Sequence, residues 1–116
     1  MAETASPTEA AHQQVSTAID SEEAAAALAR SAVEARLAAC AQVIGPIRSV
    51  YRWEGRIDVA QEWLVVCKTT ADRSEELVGY LGEQHPYDVP EVICTPVTAG
   101  NPGYLAWVSA ETRPTA

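Results

Sequence analysis

The sequence predicts a small α+β domain built around one long β-hairpin. Two capped, amphipathic helical patterns alternate with segments rich in β-branched and aromatic residues. The longest of these segments, residues 41–70, turns back on itself at a glycine near its middle. Because 116 residues leave room for a single hydrophobic core, we expect one domain, over residues 12–112.

The N-terminal residues 1–11 are small and polar and show no helical or strand period, which predicts a disordered arm. The arm has neither a basic segment nor an apolar stretch, so it does not resemble a secretory signal or an anchor. No window of the chain approaches the roughly 18 apolar residues of a membrane span. The expected compartment is therefore the cytoplasm.

The first strand and the first helix follow the arm. "HQQVSTAI" predicts a short strand over residues 13–19, and "DSEEAAAALARSAVEARLAAC" predicts a helix that continues to Cys40. Asp20 and Glu23 have the spacing of a capping box. Arg30 and Glu34 stand at the distance of a helical ion pair. The expected buried stripe consists of Ala24, Leu28, Ala32 and Ala35, widened by Val33 and Leu37.

The central hairpin is predicted from "AQVIGPIRSVYRWEG" and the returning "RIDVAQEWLVVCKTT". Proline cannot donate a hydrogen bond to a ladder, so we expect a bulge at Gly45-Pro46. Gly55 marks the turn. The returning strand is apolar at every position from Trp63 to Cys67, which predicts burial on both faces.

Two further helices and a strand complete the pattern. Asp72 and Glu75 predict a second capping box, for a helix with Leu77, Val78, Leu81 and His85 on one side that ends before Pro86. Residues 91–97 predict a strand, and Pro96 indicates an edge or a bulge. Asn101 and Pro102 predict the N-cap and first turn of a short terminal helix.

The order β-α-β-β-α-β with a terminal helix is the split-βαβ, or ferredoxin-like, arrangement. Right-handed crossovers place both main helices on one face of an antiparallel sheet. The other face then has only the short terminal helix to cover it, although the hairpin is apolar on both sides. We therefore expect another copy of the same chain to cover this surface.

The composition excludes several classes of function. The formal charge is −8 with only eight Lys and Arg, so we expect neither nucleic-acid nor membrane binding. The three cysteines, Cys40, Cys67 and Cys94, lie among apolar neighbours and outside any C-x-x-C motif, which predicts buried thiols in a reducing compartment. No nucleophile elbow, phosphate loop or zinc-protease motif is present, so we expect no enzyme.

Arginines and aromatic residues near the hairpin tip form two candidate clusters. Arg48, Arg52 and Arg56 face the acidic Asp58 and Glu62, which predicts cross-strand or intersubunit ion pairs. The alternative is a small anion site that includes Lys68. In the second cluster, Trp53 and Glu54 fit either an oligomer contact or the wall of a ligand cleft.

A third candidate cluster lies in the loop "EQHPYDVPE", where His85, Tyr87, Asp88 and Glu91 are close in sequence. A single histidine at a helix end either packs, caps or binds metal. Transition-metal sites usually need three or four ligands, so this loop makes a metal site only if subunits share it.

At "VYRWEGR", "HPYDVPEVI" and "GNPGYLAWV", supported by "EARLAACAQV" and "CKTTADR", the sequence resembles the CutA family of divalent-cation tolerance proteins over residues 13–108. The resemblance implies a ferredoxin-like fold and a cytoplasmic homotrimer whose hairpins complete intersubunit sheets. It also implies a role in tolerance of copper and other divalent cations, without an enzymatic reaction, in an architecture similar to that of PII signalling proteins.

The resemblance also implies ligand positions, which this sequence fills only in part. The copper-binding members use a cysteine in the first strand and two adjacent histidines before Pro-Tyr; here those positions hold Ser16, Gln84 and His85. Only His85 remains as a metal ligand, so weak binding of Cu²⁺ or another divalent cation is expected and no cofactor is required. The resemblance places an intersubunit ligand cleft at Trp53, Glu54, Lys68, Tyr87 and Glu91.

Two alternatives to metal tolerance stay open at this point. One is a PII-like signalling module that binds a small anionic metabolite through Arg48, Arg52 and Lys68. The other is a trimeric scaffold for a protein partner, which the substitution of metal-type ligands favours.

Overall fold

The structure is a computed structural model that describes residues 10–114. Its elements are, in chain order, β1 (His12–Ile19), α1 (Glu22–Glu34), β2 (Cys40–Trp53), β3 (Arg56–Thr70), α2 (Ala71–Gln84), β4 (Val92–Val97) and α3 (Pro102–Glu111). Most of the predicted disordered arm, residues 1–9, lies outside the described residues. Ala10 is buried, and the Ala11 carbonyl accepts a hydrogen bond from the Ala71 amide at 2.8 Å.

The four strands form one sheet in the order β2-β3-β1-β4, and every neighbouring pair is antiparallel. This order confirms the predicted ferredoxin-like arrangement. β4 lies at an edge of the sheet, where the missing N–H of Pro96 is tolerated, as predicted. Among the described residues, no helix is long and apolar enough to cross a membrane.

The hydrophobic core lies between one face of the sheet and the two long helices. α1 packs on β2 and β3, whereas α2 packs on β1 and β4. Alternation along the strands brings Val15, Ile19, Val65 and Cys67 to the covered face. The helices contribute the side chains that fill the other half of this core, chiefly Ala25, Leu28, Ala32, Leu77 and Leu81.

The first helix differs from the prediction in three respects: its N-cap, its C-terminal end and its buried stripe. Its N-cap is Ser21, whose hydroxyl accepts a hydrogen bond from the Ala24 amide at 3.2 Å, and not Asp20 of the predicted Asp20-Glu23 box. The helix ends at Glu34 and does not reach Cys40, because Arg36 takes a φ of 60°. The buried stripe is accordingly Ala25, Leu28, Ala29 and Ala32, shifted from the predicted one. The Arg30–Glu34 ion pair, at 2.6 Å, is confirmed.

The second helix lacks its predicted capping box. Its N-cap is Thr70, which makes no side-chain capping bond. Asp72 instead accepts hydrogen bonds from the Thr70 hydroxyl at 2.5 Å and from the Arg113 guanidinium at 2.7 Å. That carboxylate therefore fastens the segment after α3 to the start of α2. The predicted cap of α3 is confirmed, because the Asn101 side chain accepts from the amides that follow it.

The hairpin of β2 and β3 is longer than the sheet that supports it. β1 pairs with β3 only as far as Trp63, so residues 47–62 project beyond the third strand. The register shifts between Ile44 and Ile47, which confirms the bulge predicted at Gly45-Pro46. At the tip Glu54 and Gly55 have φ values of 49° and 80°, consistent with a two-residue type I′ turn.

Burial in the hairpin and at the cysteines differs from the predictions. Val65 and Cys67 are fully buried on the helix side, but Leu64 and Val66 on the opposite face are only half-buried. A single chain therefore does not bury both faces of β3 from Trp63 to Cys67 in the way that the sequence predicted. Cys40 is half-buried and Cys94 is exposed, so the prediction of three buried thiols holds within one chain only for Cys67.

Candidate ligand cavity

A cavity of about 710 Å³ lies where the projecting hairpin meets the loop between α2 and β4. Antiparallel register places Ser49, Tyr51 and Trp53 of β2 on the same face as Glu62 of β3, because Ile47 pairs with Glu62. The other walls come from Ala18, from the β2 edge at Val50 and Arg52, and from Tyr87, Asp88, Val89 and Glu91 of the loop. The cavity thus combines three aromatic rings with three carboxylates.

His85 does not line the cavity but holds the loop between α2 and β4 against β1. The side chain is 7% exposed, its Nε2 lies 2.8 Å from the Ala18 carbonyl oxygen, and its Nδ1 lies 3.1 Å from the Tyr87 amide nitrogen. Because the amide is a donor, Nδ1 accepts and Nε2–H donates to the carbonyl. Within one chain, both ring nitrogens of His85 are therefore engaged.

Tyr87 and Glu62 form a partly buried hydrogen bond in the wall of the cavity. The Tyr87 hydroxyl donates a 3.0 Å hydrogen bond to Glu62 Oε2, and the Glu62 side chain is only 8% exposed. Burial, together with the carboxylate of Glu62, raises the pKa of the Tyr87 phenol, so the hydroxyl keeps the proton that it donates. In the part of the chain that the structure describes, no Lys or Arg forms an ion pair with Glu62.

Three of the five predicted cleft residues, Trp53, Tyr87 and Glu91, line the cavity. Glu54 occupies the exposed turn and does not line it. Lys68 donates to Gln42 at 2.7 Å and lies about 40 Å along β3 from the partner of Trp53, at about 3.3 Å per residue. Within one chain, Lys68 therefore lies far from the other four positions.

The arginine cluster is also dispersed in the folded chain. Arg56 pairs with Asp58 at 3.5 Å within β3, in a largely exposed ion pair, while Glu62 turns to Tyr87 and not to an arginine. Arg52 lines the cavity, but Lys68 lies at the far end of the strand. An anion site made of Arg48, Arg52 and Lys68, on which the PII-like alternative depended, is not assembled within one chain.

Tyr51, Glu62 and Asp88 also line the cavity, although they were not among the residues predicted for the cleft. The signal for Glu62 lay in the register of the hairpin, which follows once the two-residue turn and the bulge are both counted. Metal ligation by His85 stays a prediction. Over residues 10–114, no three His, Cys, Asp or Glu side chains gather closely enough to hold a metal ion.

Comparison with known proteins places this fold and sequence in a family. Residues 13–111 match the CutA1 divalent ion tolerance protein family. The chain belongs to this CutA1 family. It is similar to the divalent-cation tolerance protein CutA of Thermus thermophilus, with 39% identity over 94 residues that cover 81% of this chain and 91% of the relative.

Eukaryotic CutA relatives show the same level of similarity. The chloroplastic CutA protein of Arabidopsis thaliana is 41% identical over 82% of this chain, and the mouse CutA protein is 44% identical over 79%. The chain spans about half the length of these two curated relatives, 52% in each case. The remaining length of the plant and mouse proteins lies outside the aligned region.

Solved CutA structures share the fold in detail. The crystal structure of CutA1 from Oryza sativa gives a TM-score of 0.86 at 36% identity and covers 93% of this chain and 99% of that chain. The solved structure of the Thermus thermophilus protein gives a TM-score of 0.84 at 37% identity and covers 88% and 99%. These similarities confirm both the ferredoxin-like fold and the family that the sequence motifs indicated.

Proposed function

We propose that this chain is a cytoplasmic, non-enzymatic homotrimer that contributes to tolerance of divalent metal cations, copper among them, by capturing cations at subunit interfaces. Membership of the CutA1 family carries this proposal. The relatives named for divalent-cation tolerance support the class of ligand. The chemistry of the hairpin and of the cavity supports the manner of assembly and capture.

The hairpin supports self-association. Val50 and Val59 pair across its outer half with 63% and 62% of their surface exposed, and Ile57 beside them is 56% exposed. On the other face Tyr51 and Trp53 are exposed as well. An apolar surface of this kind on both sides of a projecting hairpin favours contact with further copies of the chain.

The charge of the molecule supports cation capture. The chain carries a net charge of −8, which favours accumulation of cations near its surface. His85 contacts the cavity residues Ala18 and Tyr87, but both of its nitrogens already have hydrogen-bond partners. Capture of copper would therefore replace one of these bonds and take its remaining ligands from a neighbouring copy. Ser16 and Gln84 are poor donors for soft copper, so the expected affinity is low.

Calorimetric titration of the assembled apo protein with Cu²⁺ and Zn²⁺ tests cation capture. We expect weak, saturable binding that is lost in His85→Ala and retained in His12→Ala, the control at the other histidine. His12 lies on β1 and contacts Ser109 at 2.8 Å, away from the cavity. Binding unchanged in His85→Ala would contradict the role of His85, and no binding of either metal would contradict cation capture itself.

Sedimentation equilibrium tests the assembly independently of metal. We expect a mass three times that of the 12.4 kDa chain at micromolar concentration. A monomer under these conditions would contradict the homotrimer. The metal titration and the mass measurement have separate readouts. Absence of metal binding would leave the homotrimer standing, whereas a monomer would also remove the interfaces at which cation capture is proposed.

A further inference from the structure

We propose that one face of the projecting hairpin docks, head to tail, on the loop between α2 and β4 of the next copy of the chain. The hairpin surface consists of Arg48, Val50, Arg52, Ile57 and Val59, and the loop surface consists of Asp88, Val89, Glu91 and Ile93. The inference rests on the proposed homotrimer and goes beyond it, because it names the two surfaces that meet and the charges that pair across them.

The hairpin surface combines an apolar strip with two positive charges. Alternation along β2 puts Arg48, Val50 and Arg52 on one face, and the register places Val59 opposite Val50 and Ile57 opposite Arg52. The three apolar side chains are each more than half exposed. Among residues 10–114, neither arginine lies within ion-pair distance of a carboxylate. The hairpin surface therefore offers two unpaired cations beside exposed apolar groups.

The loop surface has the opposite charge beside a similar apolar strip. Val89 is 68% exposed, the highest fraction among the large hydrophobic residues of the described chain, and Ile93 near the start of β4 is 49% exposed. Asp88 and Glu91 are exposed beside them. Arg52 of the same chain lines one cavity with both carboxylates, but over residues 10–114 neither carboxylate forms an ion pair.

The distribution of charge favours a head-to-tail contact over a contact between like surfaces. Hairpin against hairpin would bring together two arginines from each copy, and loop against loop would bring together two carboxylates from each copy. Like charges that face each other across an interface cost free energy, whereas opposite charges favour association and fix the register. An arginine that loses water on docking also needs an acceptor, and the loop surface provides one.

Hairpin against loop is a heterologous contact, in which each copy contributes two different surfaces. Contacts of this kind close into a ring or continue as a filament, and the proposed homotrimer is such a ring. Five residues of the two surfaces also line the cavity: Val50, Arg52, Asp88, Val89 and Glu91. In the assembled protein the cavity is therefore part of the contact between copies and is covered by the neighbouring chain.

Charge reversal in the full chain, followed by sedimentation velocity, tests the contact. Arg48→Glu with Arg52→Glu reverses the hairpin surface, and Asp88→Arg with Glu91→Arg reverses the loop surface. We expect each reversal to weaken assembly at least about tenfold, because like charges then face each other. All four substitutions together restore opposite charges, so we expect the combined variant to assemble within about threefold of the wild-type affinity.

The matched control is the reversal of a charge pair that lies away from both surfaces. Arg30 and Glu34 form an exposed ion pair in α1, at 2.6 Å. Arg30→Glu with Glu34→Arg changes the same kinds of side chain, and we expect it to leave assembly unchanged. Thermal melts followed by circular dichroism check that every reversed variant is folded.

Carbodiimide crosslinking tests the contact without disrupting it. Arg48→Lys keeps the positive charge and introduces an amine, which a carbodiimide joins to a carboxylate that touches it. In a mixture of isotope-labelled and unlabelled chains, we expect crosslinks from residue 48 to Asp88 or Glu91 that join a labelled chain to an unlabelled one. Arg30→Lys is the control and should crosslink to Glu34 within its own chain.

Three results would overturn the proposal. These are an assembly that withstands both reversals, a folded combined variant that stays dissociated, and crosslinks from residue 48 that are confined to one chain. An intact trimer in every variant would contradict only this contact. A wild-type chain that sediments as a monomer would instead contradict the homotrimer itself, so the two failures are distinguishable.

Discussion

Gly45 lies directly against the indole ring of Trp63. A Cβ atom added at residue 45 would lie 2.8 Å from Cγ of that ring, closer than real Cβ atoms approach other heavy atoms, and 3.0 Å from Nε1. Gly45 also lies in the bulge between Ile44 and Ile47, where the two strands shift register. The glycine thus allows the strand to bend around a tryptophan that packs on the core.

We expect Gly45→Ala to lower the free energy of unfolding by about 1–3 kcal/mol, because the new methyl group displaces the Trp63 ring or the strand. Urea denaturation measures the change. Gly79→Ala is the matched control: nothing lies within 4 Å of a Cβ at this helical position, so we expect stabilisation of about 0.5–1 kcal/mol. Equal stability of Gly45→Ala and the wild type would contradict close packing at Trp63.

The turn at the hairpin tip predicts a stabilising substitution. Glu54 has a φ of 49°, a conformation that asparagine tolerates much better than glutamate. We expect Glu54→Asn to raise the free energy of unfolding by a few tenths of a kcal/mol, to about 1 kcal/mol. Gly55→Ala, at a φ of 80°, should lower it by about 1–2 kcal/mol. Thermal melts in which both variants move in the same direction would rule out this turn.

The hydrogen bond from Tyr87 to Glu62 predicts that loss of the Tyr87 hydroxyl lowers stability more than loss of the Tyr80 hydroxyl. Tyr87→Phe leaves a buried carboxylate without its donor, so we expect a loss of about 1–3 kcal/mol in the free energy of unfolding. Tyr80→Phe, in α2, should change stability by less than about 0.5 kcal/mol. Chemical denaturation at neutral pH compares the two. A harmless Tyr87→Phe would show that Glu62 is satisfied by other means.

Asp72 predicts a pH-dependent contribution to stability. Hydrogen bonds from Arg113 and Thr70 hold the pKa of the Asp72 carboxyl well below its usual range. A lowered pKa in the folded state stabilises the protein above the ordinary value, about 3.9, and this contribution is lost as pH falls from there toward the folded pKa. We expect Arg113→Ala to be less stable than the wild type at neutral pH, and the difference to shrink in acid.

The pH effect of Arg113 has a direct control in Asp72→Asn. In that background the carboxyl no longer titrates, so adding Arg113→Ala should change stability equally at neutral and at acidic pH. Both side chains are largely exposed, so the effect at neutral pH is expected to be small and reduced by salt. A difference that persists unchanged below about pH 3 would contradict the contact.

The exposed apolar pair Val50 and Val59 predicts that a charge placed on this surface separates the copies of the chain. Placing a charge on the outer hairpin, as in Val50→Lys, should lower the mass observed in sedimentation to that of one chain, because a desolvated ammonium opposes assembly. Glu75→Lys, on the exposed side of α2, is the control and should leave the mass unchanged. An assembly that withstands Val50→Lys would place the interface elsewhere.

Most of the fold was predictable because its signals are local. The strand periods, the bulge at Gly45-Pro46, the turn at Gly55 and the cap at Asn101 each depend on a few adjacent residues, and each is found in the structure. The helix starts were predicted less well. Asp72 has the spacing of a capping residue, but Arg113, distant in sequence, provides it with a better partner.

The sequence predicted only some of the residues that line the cavity, because the cavity depends on tertiary register. Trp53, Tyr87 and Glu91, which were assigned to an intersubunit cleft, line one cavity of the single chain, whereas the length of β3 keeps Lys68 away from them within that chain. Glu62 was assigned to ion pairs, since the sequence shows nearby arginines but not the distant hydroxyl of Tyr87. The spacing of residues in the sequence thus did not predict the contacts that form between strands and loops in the folded chain.

The projecting half of the hairpin has a consequence for amide hydrogen exchange. Residues 47–62 are paired with each other but have no third strand beside them and little apolar cover. Local opening of such a segment costs less free energy than opening of the core, so its amides should exchange early in an isolated chain. Association with other copies would slow that exchange. The protection of these few amides therefore provides a residue-level measure of whether the protein is assembled.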